Sequence, residues 1–211
     1  MKKKKTILVL VMFLVCLVAH SARAELILFE NFEDSSGFIA YGNAHYWGVA
    51  PLSGTGLVPS NFIQGGSQSG NIFYGVNGWD SSATMTISLP NLTGYTDLYL
   101  TVALAAPEGV WESSHRDSLY ISGTTGLIDS FLPPARPSSL RSQIHSSNLL
   151  LGFQDFEYAI DSSLNSLTFT FASTADDEVI GIDSVRITGT PIPEPCTLLL
   201  LGLGGLLIRK Q

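Results

Sequence analysis

The chain has 211 residues and a formal net charge of −7, room for one domain with targeting segments at its ends. Most of the base sits in those ends: residues 25–190 hold four arginines and no lysine against 17 acids, a net charge of 4 − 17 = −13. So acidic a span lacks the clustered Lys and Arg that phosphate backbones require, which argues against nucleic acid as a partner. Both cysteines, Cys16 and Cys196, lie outside it, so it has no disulfide, thiolate metal site or cysteine nucleophile.

In chain order, residues 2–5 are all lysine, residues 6–19 form an apolar run, and Ala22-Arg23-Ala24 is a small-x-small site. Together these read as a secretory signal peptide over residues 1–24, cleaved after Ala24. From residue 25 onward short β-rich runs are punctuated by Gly, Pro, Asn and Ser. Residues 26–33 open the series. Residues 71–76, 83–89, 98–105, 117–122, 153–160, 164–172 and 179–188 continue it, with Met85, Ile87 and Leu89 alternating against Thr84, Thr86 and Ser88. Stretches 50–70 and 132–149 read as long loops. The expected fold is all-β, a jelly-roll-like antiparallel β-sandwich over residues 25–187, with a helical signal segment before it and a short hydrophobic helix after it. Residues 188–192 read as a Pro-stiffened linker.

The tail over residues 193–211 starts with Pro193-Glu194-Pro195, continues as an apolar segment and ends on Arg209-Lys210-Gln211. The apolar part, from Cys196, is 13 residues, about 20 Å as a helix against a hydrocarbon core of roughly 30 Å. Arg209 and Lys210 act as the positive membrane stop and keep that end cytoplasmic. This order of parts resembles the PEP-CTERM sorting domain of exported bacterial proteins, with Pro193, Glu194 and Pro195 as the sorting motif. One departure is Cys196, where the family commonly has serine. The resemblance implies an exosortase-type processing peptidase as partner, transient tethering through the C-terminal helix, and a cell-surface or extracellular destination linked to exopolysaccharide and biofilm. The domain is also labelled after ice-binding proteins. An ice face needs a long regular threonine array, and Thr84/Thr86 and Thr168/Thr170 read as ordinary strand surface.

Residues 29–33 (Phe-Glu-Asn-Phe-Glu) and 181–185 (Gly-Ile-Asp-Ser-Val) resemble the first and last strands of extracellular jelly-roll modules. That resemblance implies a structural calcium ion, with Glu30, Glu33 and Asp183 as ligands and Asp80 or Asp177 as further candidates; six to eight hard oxygens are needed. Trp47, Trp79 and Trp111 fall in or beside loop-like stretches, where exposed rings would stack on sugars and buried ones would fill the core. Catalysis finds no support: there is no paired-carboxylate signature, and residues 66–70 (Gly-Ser-Gln-Ser-Gly) put glutamine where a nucleophile elbow needs serine. The expectation is a non-enzymatic surface or matrix protein, structural or adhesive. The competing expectation is a glycan-binding jelly-roll module, and a polysaccharide hydrolase ranks third.

Overall fold

The computed structural model describes residues 23–33, 37–42, 46–51, 72–77, 81–106, 110–111, 117–134, 139–173 and 178–193. Within them every regular element is a strand: β1 (Glu25–Glu30), β2 (Phe38–Gly42), β3 (Tyr46–Pro51), β4 (Ile72–Asn77), β5 (Ser81–Ser88), β6 (Tyr95–Ala105), β7 (Ser118–Gly123), β8 (Gly126–Leu132), β9 (Arg141–Ser142), β10 (Gln154–Ala159), β11 (Ser166–Ser173) and β12 (Val179–Pro191). They form two antiparallel sheets. The first runs β10-β6-β12-β4-β3, with β1 also on β12, and the second runs β2-β5-β11-β7-β8-β9. The all-β antiparallel sandwich expected from the alternation is the fold.

Alternation decides which residues meet between the sheets. Leu98, Leu100, Val102 and Leu104 on β6 are buried, as are Met85 and Ile87 on β5 and Leu167, Phe169 and Phe171 on β11. Trp111 meets Phe171 edge-on at 6.1 Å, and Phe131 of β8 meets Phe156 of β10 edge-on at 5.1 Å. The second contact joins the sheets along one open side of the sandwich.

Three local readings change. Residues 38–42 and 46–49 are strand although they show no clean alternation, and residues 50–51 and 141–142, expected in loops, belong to β3 and β9. Residues 126–132 form β8, which the sequence does not announce because Asp129, an acid at an inward position, hides the alternation. Residues 188–191, read as linker, belong to β12: Thr188 pairs with Tyr99, Thr190 with Thr96 and Pro191 with Tyr95. Pro191 lies past the terminal β1–β12 pair, Glu25–Gly189, where one side of β12 is an open edge that tolerates proline. The sheet domain therefore runs four residues beyond position 187.

Both ends of the described chain leave from the same end of the sandwich. Glu25 pairs with Gly189, and the Ile192 N–H donates to Gly94 O at 2.8 Å. Pro193 is exposed there, as is Ala24. Ala22, Glu194, Pro195, Arg209, Lys210 and both expected helices lie outside the described residues. No helix among the described residues is long and apolar enough to cross a membrane.

Candidate functional site

Of the expected calcium ligands, Glu30 ends β1 opposite Val185, two residues from Asp183. The Glu30 carboxylate folds back: Oε1 accepts the Phe32 N–H at 2.7 Å, and Phe32 takes a left-handed φ of 59° to donate it. The same carboxylate lies over Gly37, where a Cβ would meet Oε2 at 1.5 Å, so a side chain there would displace the Glu30 carboxylate from this position. Asp183 is fully buried, and its Oδ1 accepts the Ser184 N–H at 2.6 Å across a bulge where Ser184 has φ 46°. Glu33 is exposed. The fold therefore brings Glu30 and Asp183 to one end of the β1–β12 ladder. No group of three or more His, Cys, Asp or Glu among the described residues could hold a metal, so main-chain carbonyls would have to complete a calcium shell. Asp80 and Asp177 lie outside the described residues.

The one tryptophan whose side chain is described does not lie on the surface. Trp111 is fully buried against Phe171 and serves the core, so its expected role on a sugar is corrected. Trp47 is placed by its backbone on β3 opposite Val76, and Trp79 lies outside the described residues.

The outer face of the second sheet has a composition of its own. Strands β2, β5, β11 and β7 contain no charged residue, although the span they belong to carries 17 acids. Register places Thr84 beside Thr170 and Thr170 beside Tyr120, and in the next row Ile39, Thr86, Thr168 and Ser122. The two threonine pairs therefore lie side by side and are not isolated. Neighbours repeat at about 4.8 Å across strands and about 6.8 Å along them. Thr86 Oγ1 and Thr168 Oγ1 share a hydrogen bond at 3.1 Å, as do Thr124 Oγ1 and Ser166 Oγ. Ile39 is 55% exposed and Tyr120 38% exposed, so an aliphatic and an aromatic side chain flank the hydroxyls. Donors, acceptors and an aromatic face without charge form a surface for another neutral, hydroxylated surface.

At the open side of the sandwich Asp129 of β8 is buried without a cationic partner among the described residues. It accepts the Ser130 N–H at 2.7 Å, the Ser142 hydroxyl at 2.5 Å, the Ile144 N–H at 3.2 Å and the Tyr158 hydroxyl at 2.9 Å. Those donors make the burial tolerable. Burial, then the negative charge of Asp129 and its hydrogen bond, push the Tyr158 phenol well above its ordinary pKa. Sequence reasoning missed both the hydroxyl face and this tie. The alternation of Thr84, Thr86 and Ser88 was the available signal for the first, and nothing local marks the second.

No family model and no curated protein matches the sequence. Among solved structures the chain is similar to the K1 cleaved adhesin domain of Lys-gingipain from Porphyromonas gingivalis W83: 13% identity, TM-score 0.51, covering 80% of this chain and 99% of that one. It is similar to the Stig cyclase Fisc from Fischerella sp. TAU at 13% identity and TM-score 0.50, covering 81% and 100%. A family 11 carbohydrate-binding module of the Clostridium thermocellum cellulase Lic26A-Cel5E follows at 10% identity and TM-score 0.42, covering 82% and 99%. At these identities the likeness shows the fold: a β-sandwich of the jelly-roll type.

Proposed function

We propose that the chain is an exported, non-enzymatic adhesive module that binds neutral polysaccharide on the outer face of its second sheet. The observation that carries this is a four-strand hydroxyl face without charge on a domain of net charge −13. Such a domain repels anionic polymers as a whole, whereas its uncharged face can meet a neutral one without stranding a desolvated charge. The shared fold of an adhesin domain agrees with an adhesive role. Export and sorting rest on the order of parts at the two ends: lysines, apolar run and Ala22-Arg23-Ala24 at one, Pro193-Glu194-Pro195, apolar segment and Arg209-Lys210 at the other. In this reading an exosortase-type peptidase acts at the tail, the membrane holds the chain through its C-terminal helix until then, and the product meets exopolysaccharide at the cell surface. A calcium ion at Glu30 and Asp183 would brace the β1–β12 ladder.

The test is affinity electrophoresis of the full chain in detergent through gels cast with neutral glucans, glucomannan or xylan. Retardation by one of them, abolished in Tyr120→Ala with an unchanged melting temperature, is expected. Equal mobility of the parent chain in all gels overturns the reading, as does release of reducing sugar from the same polymers. Mass spectrometry of surface-extracted protein tests the sorting: a C-terminus at or near Pro195 is expected, and an intact Gln211 excludes processing.

A further inference from the structure

Along the open side of the sandwich, between β8 and β10, lies a groove of about 460 Å³, within the range of small-molecule sites. Leu127, Ile128, Ile144, Ile160 and Leu164 line it, with Tyr158. Its two most exposed aliphatic side chains, Leu127 and Ile144, are each 63% exposed. Ile144 is held outward by a built device. Its N–H donates to buried Asp129, the Ser142 hydroxyl donates to the same carboxylate, and Ser142 Oγ in turn accepts the His145 N–H at 2.8 Å. Ser146 closes the turn with φ 57°. Desolvating a carboxylate to hold one turn is costly, and what that turn presents to solvent is an isoleucine across from Leu127.

The groove continues the hydroxyl face. Leu127 pairs with Ser122, which extends the row Ile39, Thr86, Thr168 and Ser122 by one strand. A polymer lying along that row reaches the groove at its β8 end. There the recognition chemistry changes: aliphatic side chains replace hydroxyls, and the exposed carboxylates of Glu157 and Asp161 join the lining. Aliphatic walls suit a methyl-bearing group, since a bare sugar ring is better served by an aromatic face. The two acids disfavour a uronate, sulfate or phosphate substituent. Thr125, also in the lining, supplies a hydroxyl donor for a carbonyl oxygen.

We infer that this groove is an acyl subsite: it takes O-acetyl substituents of the neutral polysaccharide bound on the adjoining face. The inference rests on the polysaccharide reading above and names the polymer class, an acetylated neutral glycan.

The probes are acetylated glucomannan and the same polymer deacetylated by alkali, with the full chain in detergent run through gels of each. The parent chain should bind the acetylated form about fourfold more tightly, the worth of one buried methyl group. Ile144→Ser, outside that row, should erase the preference and leave binding to the deacetylated form unchanged, and Leu127→Ser should erase the preference too. Both side chains are largely exposed, so the variants should fold, and matching melting temperatures check this. Thr168→Asp, on the face alone, should lower binding to both forms. Equal binding of both polymers by the parent chain overturns the acyl subsite and leaves the face intact, and so does an equal loss for both polymers in Ile144→Ser. Binding of neither polymer removes the subsite together with the reading beneath it.

Discussion

The two sheets bury the same kind of inner face and expose very different outer ones. The first places Asp155, Glu157 and Arg186 outward, with Phe29 at 45% and Tyr99 at 42% exposure among them. The second exposes Thr, Ser, Ile39 and Tyr120. Core formation needs only one apolar residue in two, so it does not dictate the composition of either outer face. On this strongly acidic chain β2, β5, β11 and β7 carry no charge, which core formation alone does not require, and the exposed Arg141 sits at the far edge of the sheet on β9. In the reading proposed above, the charged first sheet faces solvent and the uncharged strands of the second make the contact.

That comparison can be broken by moving a charge. Thr168→Asp and Thr101→Asp place the same carboxylate at half-buried positions on the outer faces of the second and first sheets. The first variant should lose about tenfold or more in binding to neutral polysaccharide, because the new charge is desolvated without a partner. The second should bind as the parent does. Equal losses in the two, by affinity electrophoresis, would show that the faces do not differ in role.

The next effect concerns the edge of the first sheet. If calcium bridges Glu30 and Asp183, chelation by EGTA should lower the melting temperature by about 5–10 °C, the shift expected for an ion held well below its working concentration. Glu30→Gln should remove the response. A melting temperature unmoved by chelator would leave the two acids as local caps for the Phe32 and Ser184 N–H groups.

A smaller effect lies in the tie between the sheets. The Tyr158 phenol is pushed upward mainly by burial and then by Asp129, so the folded chain holds that proton more firmly than the unfolded chain, where tyrosine titrates near pH 10. This contribution is fully present below about pH 10 and is lost as pH rises beyond it. Unfolding free energies from urea titrations between pH 8 and 11 should therefore fall along an alkaline limb, and Tyr158→Phe should flatten it while lowering the neutral-pH stability by about 1 kcal/mol for the lost hydrogen bond. An unchanged limb in Tyr158→Phe would assign the alkaline loss to other groups.

How much of this was legible in the sequence follows from what period 2 can carry. Where apolar and polar residues alternate without interruption, as over Met85 to Leu89 and Leu98 to Leu104, strands and their inward residues are evident. β2 has no polar alternation, Gly48 breaks that of β3 and Asp129 that of β8, so none of the three is evident as a strand. The hydroxyl face was half visible: the threonines could be read, but their adjacency is a matter of register between β5 and β11, 82 residues apart at Thr86 and Thr168. Trp111 shows the opposite limit. Its loop-like surroundings suited a surface ring, yet tertiary packing against Phe171 takes it inside. Asp129 meets Ser142, Ile144 and Tyr158 only in three dimensions, so no local signal could mark it.

The smallest effect is expected on the charged face itself. Arg186 Nη2 sits 2.7 Å from Asp155 Oδ2, with both side chains roughly two-fifths exposed. Solvent screening and the ordering of two side chains leave such a pair worth under about 1 kcal/mol. There is also an opposing term: the Arg186 Nε is buried and finds no hydrogen-bond partner among the described residues, and an unmet buried donor is unfavourable. Arg186→Met keeps most of the aliphatic stem that covers neighbouring surface, removes the pair and removes the unmet donor together. The unfolding free energy from urea titration should therefore move by no more than about 0.5 kcal/mol in either direction, and added salt should affect parent and variant alike. A loss above about 2 kcal/mol would mean that the ion pair is part of a wider network. The first sheet's outer face would then be as purposefully built as the second, and the contrast between them would no longer be one of solvation against contact.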